Sequence, residues 1–61
     1  MTPEAKTYAE RIREAFFGGN DRAIRDIHQE LNDNQDLLLE VWGVFPATMR
    51  AQLKEIISRD Q

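Results

Sequence analysis

The chain has 61 residues, no cysteine and 41% hydrophobic residues, and eight basic and eleven acidic side chains give a formal net charge of −3. This length allows a single domain over residues 1–61, and the lack of cysteine excludes disulfides and thiolate metal sites. The apolar fraction is too high for a disordered chain, and no apolar run approaches the ~20 residues that span a bilayer. The first six residues also lack the pattern of a signal peptide, so we expect a cytoplasmic protein with no membrane partner.

A first helix is predicted over residues 3–17. Thr2 is a good N-cap, and Pro3 suits the first helical position. Apolar residues then recur at spacings of three and four, the pattern of one buried stripe: Ala5, Tyr8, Ala9, Ile12, Ala15 and Phe16. Gly18-Gly19 supplies the left-handed residue that ends such a helix.

A second helix is predicted over residues 21–31, with Asn20 or Asp21 as its cap. Its narrow apolar stripe consists of Ile24, Ile27 and Leu31. The run Asn32-Asp33-Asn34 then breaks the pattern, because short polar side chains bond to nearby backbone and favour turns and caps.

Two further helices complete the chain. The third is predicted over residues 34–44, capped by Asp33 or Asn34, with a broad apolar face of Leu37, Leu38, Val41, Trp42 and Phe45. Pro46 cannot continue this helix without a kink, so it is predicted to open the fourth, over residues 46–58. The apolar stripe of the fourth helix is Met49, Leu53, Ile56 and Ile57. We therefore expect an all-α fold, a compact bundle of four short helices.

Catalytic groups are scarce in this sequence. His28 is the only histidine, and a general base also needs a nucleophile within reach and an orienting partner. Ser58, the only serine, lies near the C-terminal end, and nothing in its spacing from His28 indicates a triad. A calcium loop starting at Asp33 would need glycine at its sixth position, where Leu38 stands. We expect a non-enzymatic protein with no cofactor and no bound metal.

The acidic residues are distributed unevenly. Between residues 26 and 40 there are five acids and no Lys or Arg: Asp26, Glu30, Asp33, Asp36 and Glu40. Like charges four apart on one helix are slightly unfavourable, so helix stability does not require this arrangement. One interpretation is a solvated face that keeps the protein soluble, and the other is a docking surface.

Two large apolar residues, Phe17 and Leu39, lie off the main stripes. Phe17 can cap the core at the glycine turn or offer an aromatic anchor to a partner. A core this small leaves monomer and symmetric homodimer open, and in a dimer we expect these two residues to contribute. The predicted partner-binding set therefore joins them to the acids: Phe17, Asp26, Glu30, Asp33, Asp36, Leu39 and Glu40.

Residues 38–57 follow the outline Leu-x-x-x-Trp-x-x-x-Pro-x-x-x-Arg-x-x-Leu-Lys-x-x-Ile. This outline resembles a helical segment of bacteriophage recombination and replication accessory proteins, in which a Leu/Trp helix meets a Pro-started helix carrying Arg and Lys. The resemblance covers about a third of the chain. It implies a non-enzymatic accessory protein of phage or plasmid origin and transfers no catalytic residue.

Two functions follow from these features. The first is a protein-binding module or inhibitor that docks its acidic helical surface on a partner, one whose own surface is basic. The alternative is a nucleic-acid-binding accessory domain of replication or recombination, using Arg50, Lys54 and Arg59 with Arg11, Arg22 or Arg25. The net charge of −3 argues against the alternative, because nucleic-acid binders usually carry a basic excess.

Overall fold

A computed structural model of the chain describes residues 2–59. In that range the chain forms α1 (Pro3–Phe17), α2 (Asp21–Leu31), α3 (Gln35–Trp42) and α4 (Ala47–Ser58), with no strand. The predicted all-α bundle of four short helices is confirmed. Helix α2 is central and packs against the other three, while α1 also packs against α3. None of the helices described is long and apolar enough to cross a membrane.

The first three helices begin at side-chain caps. Thr2, Asn20 and Asn34 each accept a hydrogen bond from the backbone N–H three residues later, at 3.2, 3.1 and 3.2 Å. Such a cap satisfies one of the N–H groups that have no partner within the helix. Of the alternatives that the sequence left open, the structure selects the asparagine in both cases, over Asp21 for α2 and over Asp33 for α3.

The turn after α1 has the predicted left-handed residue. Gly19 has a φ of 71°, a conformation that costs little only for a residue without a Cβ. The Asn20 N–H donates to the Ala15 carbonyl at 2.8 Å, and the Gly19 N–H donates to the Phe16 carbonyl at 3.3 Å. These bonds form the Schellman pattern that ends a helix and reverses the chain.

Helix α3 is shorter than the predicted 34–44. It ends at Trp42. The Gly43 N–H still bonds to the Leu39 carbonyl four residues earlier, but the N–H groups of Val44 and Phe45 bond to carbonyls only three residues earlier. Such tighter bonds are common in the last turn of a helix, and here they end α3 two residues before the predicted position. Pro46 itself is extended, with ψ 158°, and caps α4, which therefore starts one residue later than predicted.

One apolar cluster fills the interior. Its buried members come from all four helices and the turn before α4: Ala5, Ala9, Ile12, Ala15, Ile24, Ile27, Leu31, Leu37, Val41, Phe45 and Leu53. Three of the four buried residues of α1 are alanines, so this helix can approach its neighbours closely. Tyr8, Phe16 and Trp42 were expected in the core, but they are only half-buried and pack against its edge.

Candidate partner-binding surfaces

Three of the five acids between residues 26 and 40 lie alongside α1. Asp26 and Gly18, the residue that follows α1, both line an open groove of about 530 Å³. Glu30 contacts Arg11 in the middle of the helix. Glu40, on α3, reaches Thr2 at the start. The packing of α2 and α3 against α1 thus spreads the acidic stretch along the whole length of that helix.

Two of these acids have partners within the molecule. A carboxylate oxygen of Glu30 lies 3.2 Å from Nη2 of Arg11, and both side chains are about half exposed. The Thr2 N–H donates to Oε1 of Glu40 at 2.7 Å. An acid beside the start of α1 is favourable, because the helix dipole is positive there. Part of the charge of Glu30 and Glu40 therefore serves the fold.

The other three acids, Asp26, Asp33 and Asp36, face water. All are exposed, and within residues 2–59 none has a hydrogen-bond or ion-pair partner on its side chain. Their charges are not neutralised by a neighbouring base. They are the part of the acidic stretch that remains available to a partner.

Leu39 lies among these charges. It is 68% exposed, whereas most large apolar residues of the chain pack in or against the core. Asp36 precedes it by three residues on α3, so the two side chains are neighbours on one face of the helix. We define the acidic surface as Asp33, Asp36 and Leu39, because Asp26 lies beside Gly18 at the opposite end of α1 from Leu39. It combines unpaired carboxylates with one exposed apolar side chain.

Phe17 is separate from this group. It is 76% exposed and meets the Phe16 ring edge-on, with centroids 5.5 Å apart and planes at 78°. Phe17 ends α1, while Leu39 adjoins the residue bonded to Thr2 at the start of α1. A helix of 15 residues is about 22 Å long, so Phe17 and Leu39 do not form one patch.

A second groove, of about 240 Å³, was not predicted from the sequence. It lies where α2, the end of α3 and α4 meet, and we call it the basic groove: His28, Trp42, Arg50, Lys54, Ile57 and Ser58. The His28 and Trp42 rings meet edge-to-face, with centroids 6.1 Å apart. Apolar side chains thus form one part of the groove and two cations another.

The cations of the predicted nucleic-acid set do not share one environment. Arg59 lies 3.3 Å from an oxygen of Glu55 and 3.9 Å from an oxygen of Asp21. Arg50 and Lys54 are exposed and, in the described part of the chain, contact no carboxylate. Arg11 is paired with Glu30, and Arg22 is exposed and unpaired among the described residues but does not line the basic groove.

His28 and Ser58 both line this groove. The Ser58 hydroxyl donates to the Lys54 carbonyl at 2.8 Å, and Nδ1 of His28 is buried without a partner among the described residues. No carboxylate lines the groove, so an orienting acid for the imidazole is missing from it. Nor do residues 2–59 contain three or more acidic or histidine side chains grouped to hold a metal ion.

Small helical bundles serve many unrelated functions, so the fold by itself indicates none of them. The two surfaces just described are the features of this chain that bear on its function. In comparisons with protein-family models, with curated proteins and with solved structures, no match to this chain was found.

Proposed function

We propose that this chain is a small non-enzymatic protein-binding module or inhibitor that docks its acidic surface on a protein with a basic surface. One observation carries the proposal: Leu39 is 68% exposed beside the unpaired carboxylate of Asp36. Interfaces commonly combine an apolar centre with a polar rim. The partner that fits is therefore basic, with an apolar contact for Leu39.

The charges contribute mainly to the encounter. Exposed carboxylates are screened by salt and add little to affinity at close range, but they attract a basic partner from a distance. Asp26 extends the negative field along α2 before Glu30, and Asp33 extends it through the turn that leads to α3. A partner that uses basic residues to bind DNA would be blocked by such docking, which is how the protein would act as an inhibitor.

An accessory role in phage or plasmid biology belongs to the same proposal. It is supported by the resemblance of residues 38–57 to segments of recombination and replication accessory proteins. Such a protein would work in the cytoplasm, where the replication and recombination proteins of bacteria act.

Affinity capture with matched variants tests the proposal. Wild-type protein, Asp33→Asn/Asp36→Asn and Glu10→Gln are immobilised and exposed to extract of the native cell. Glu10 is exposed on α1 and makes no hydrogen bond or ion pair through its side chain within residues 2–59, so its variant controls for the loss of an acidic charge elsewhere on the surface. We expect one protein to be retained by wild type and control and lost from the double variant. Equal retention on all three would contradict docking through the acidic surface.

DNA binding is measured in parallel. A nucleic-acid binder loses affinity steeply as salt rises, because counterions are released from the phosphates. The proposal predicts no DNA affinity at moderate salt. Salt-sensitive DNA binding that is lost in Arg50→Gln/Lys54→Gln would favour the nucleic-acid alternative.

A further inference from the structure

The basic groove differs in chemistry from the acidic surface. Its half-buried Trp42 and Ile57 offer apolar contact, and the exposed Arg50 and Lys54 offer positive charge. Its volume of about 240 Å³ is below the ~300–1,000 Å³ typical of small-molecule sites. A groove of this size suits one inserted side chain of a protein better than a cofactor.

The two cations indicate the charge of the occupant. Arg50 and Lys54 are one turn apart on α4, and like charges at this spacing slightly destabilise a helix. They contact no carboxylate within residues 2–59, and no acidic side chain lines the groove. The fold does not need them in these positions, whereas a carboxylate from outside would pair with them.

The matching chemistry is found on the chain itself. Leu39 is an exposed apolar side chain with the carboxylate of Asp36 one turn before it on α3. The basic groove would receive an apolar side chain that packs against Trp42 and Ile57. It would also receive an acid that pairs with Arg50 and Lys54. The acidic surface is thus complementary to the basic groove in both polarity and charge.

The order of these residues also suits a two-fold contact. Leu39 and Trp42 are three residues apart on α3 and hence neighbours along one side of the helix. Asp36 lies on the N-terminal side of Leu39. On the C-terminal side of Trp42 the chain continues into α4, which carries Arg50. A two-fold axis between Leu39 and Trp42 would bring each Leu39 to the other copy's Trp42 and each Asp36 toward the other copy's Arg50.

We propose that the basic groove binds a second copy of this chain, with Leu39 inserted against Trp42 and Asp36 paired with Arg50 and Lys54. The contact is reciprocal, so each copy gives one Leu39 and receives one. This inference rests on the proposed function in that it assigns a partner to Asp36 and Leu39. It also adds regulation, because the dimer covers the surface that would dock on another protein.

The dimer is expected to be weak. A standard interface takes about 800 Å² from each partner, which is about a fifth of the 4263 Å² surface of this chain. One leucine and two short rows of charge fill only part of such an area. Self-association should therefore be measured from tens to hundreds of micromolar, and it should weaken as salt rises.

Sedimentation equilibrium with exchanged charges tests the dimer. Wild type should approach twice its 7.1 kDa mass. Arg50→Glu and Asp36→Arg should each remain monomeric, because each places like charges across both halves of the contact. An equimolar mixture of the two should dimerise again, since both pairs are then complementary. Wild type that stays monomeric, or a mixture of helical variants that does not recover, would overturn the inference.

Further variants separate a local effect from loss of folding. Leu39→Gln should weaken the dimer, whereas Phe17→Gln, at a similarly exposed position at the far end of α1, should not. Asp36→Asn replaces Asp36→Arg if the latter is not helical by circular dichroism, and it should raise the dimer dissociation constant about tenfold. The same loss from Phe17→Gln as from Leu39→Gln would contradict the assigned contact.

The same variants distinguish this inference from the proposed function. Arg50→Glu prevents the dimer but leaves the acidic surface intact. If the dimer fails while the acidic surface does dock on another protein, wild type and Arg50→Glu will capture that protein equally well. If both proposals hold, Arg50→Glu will capture more of it than wild type, because no second copy competes.

Discussion

The backbone N–H of Thr2 donates to the carboxylate of Glu40 at 2.7 Å, although 38 residues separate the two in sequence. Thr2 is the N-cap of α1, and Glu40 lies near the end of α3. The bond therefore joins the start of one helix to another helix and places a negative charge at the positive end of α1. A residue first considered for docking has a structural role.

Glu40→Gln should lower the free energy of unfolding by roughly 0.5–1 kcal/mol, because it removes the charge from this bond and from the end of the helix. Glu10→Gln is the control, since it removes the same charge from an exposed position in the middle of α1. Urea denaturation of both variants measures the difference. Equal stability of the two would show that the charge of Glu40 contributes nothing at this position.

The same substitution at a buried and an exposed leucine tests the core. Leu53 is fully buried, whereas Leu39 is 68% exposed. Leu53→Ala should cost about 2–5 kcal/mol through lost burial and a cavity, which is a large share of the stability of so small a domain. Leu39→Ala should change it by less than about 0.5 kcal/mol. Thermal unfolding at low concentration, where the chain is monomeric, compares them.

Two glycines differ in what they require of the backbone. Gly19 has φ 71°, so Gly19→Ala should destabilise the fold by about 1–2 kcal/mol despite open space around the new Cβ. Gly43 has φ −64°, and a Cβ there meets the Leu39 carbonyl oxygen at 3.4 Å, an ordinary contact. Gly43→Ala should be neutral or stabilise by up to about 1 kcal/mol. A larger drop in melting temperature for Gly43→Ala than for Gly19→Ala would contradict the left-handed conformation assigned to Gly19.

The helices could be predicted because their signals are local. The spacing of apolar residues, the caps Thr2, Asn20 and Asn34, and the glycine turn all act within a few residues of where they stand. The end of α3 was wrong by two residues because the turn before Pro46 closes with tighter bonds, from Val44 to Val41 and from Phe45 to Trp42, in place of helical ones. Pro46 indicated that the helix ends, but not at which residue.

The surfaces were harder to predict because they depend on packing. His28, Trp42 and Arg50 come from three different helices and meet only in the folded chain. The sequence indicated that Trp42 is apolar and that α4 carries Arg50 and Lys54, but it did not indicate that these residues line one groove. In the same way, the pairing of Glu30 with Arg11 is a tertiary contact, so the five acids looked equivalent in the sequence.

On the proposed function, the unpaired acids steer a basic partner to the acidic surface. The direct measurement is the association rate of the captured partner with wild type and with Asp33→Asn/Asp36→Asn over a range of salt concentrations. Glu30 is left unchanged because its replacement would break the bridge to Arg11. We predict that the double variant associates more slowly at low salt and loses less rate as salt rises. The same rate and the same salt dependence in a folded double variant would contradict steering by these acids.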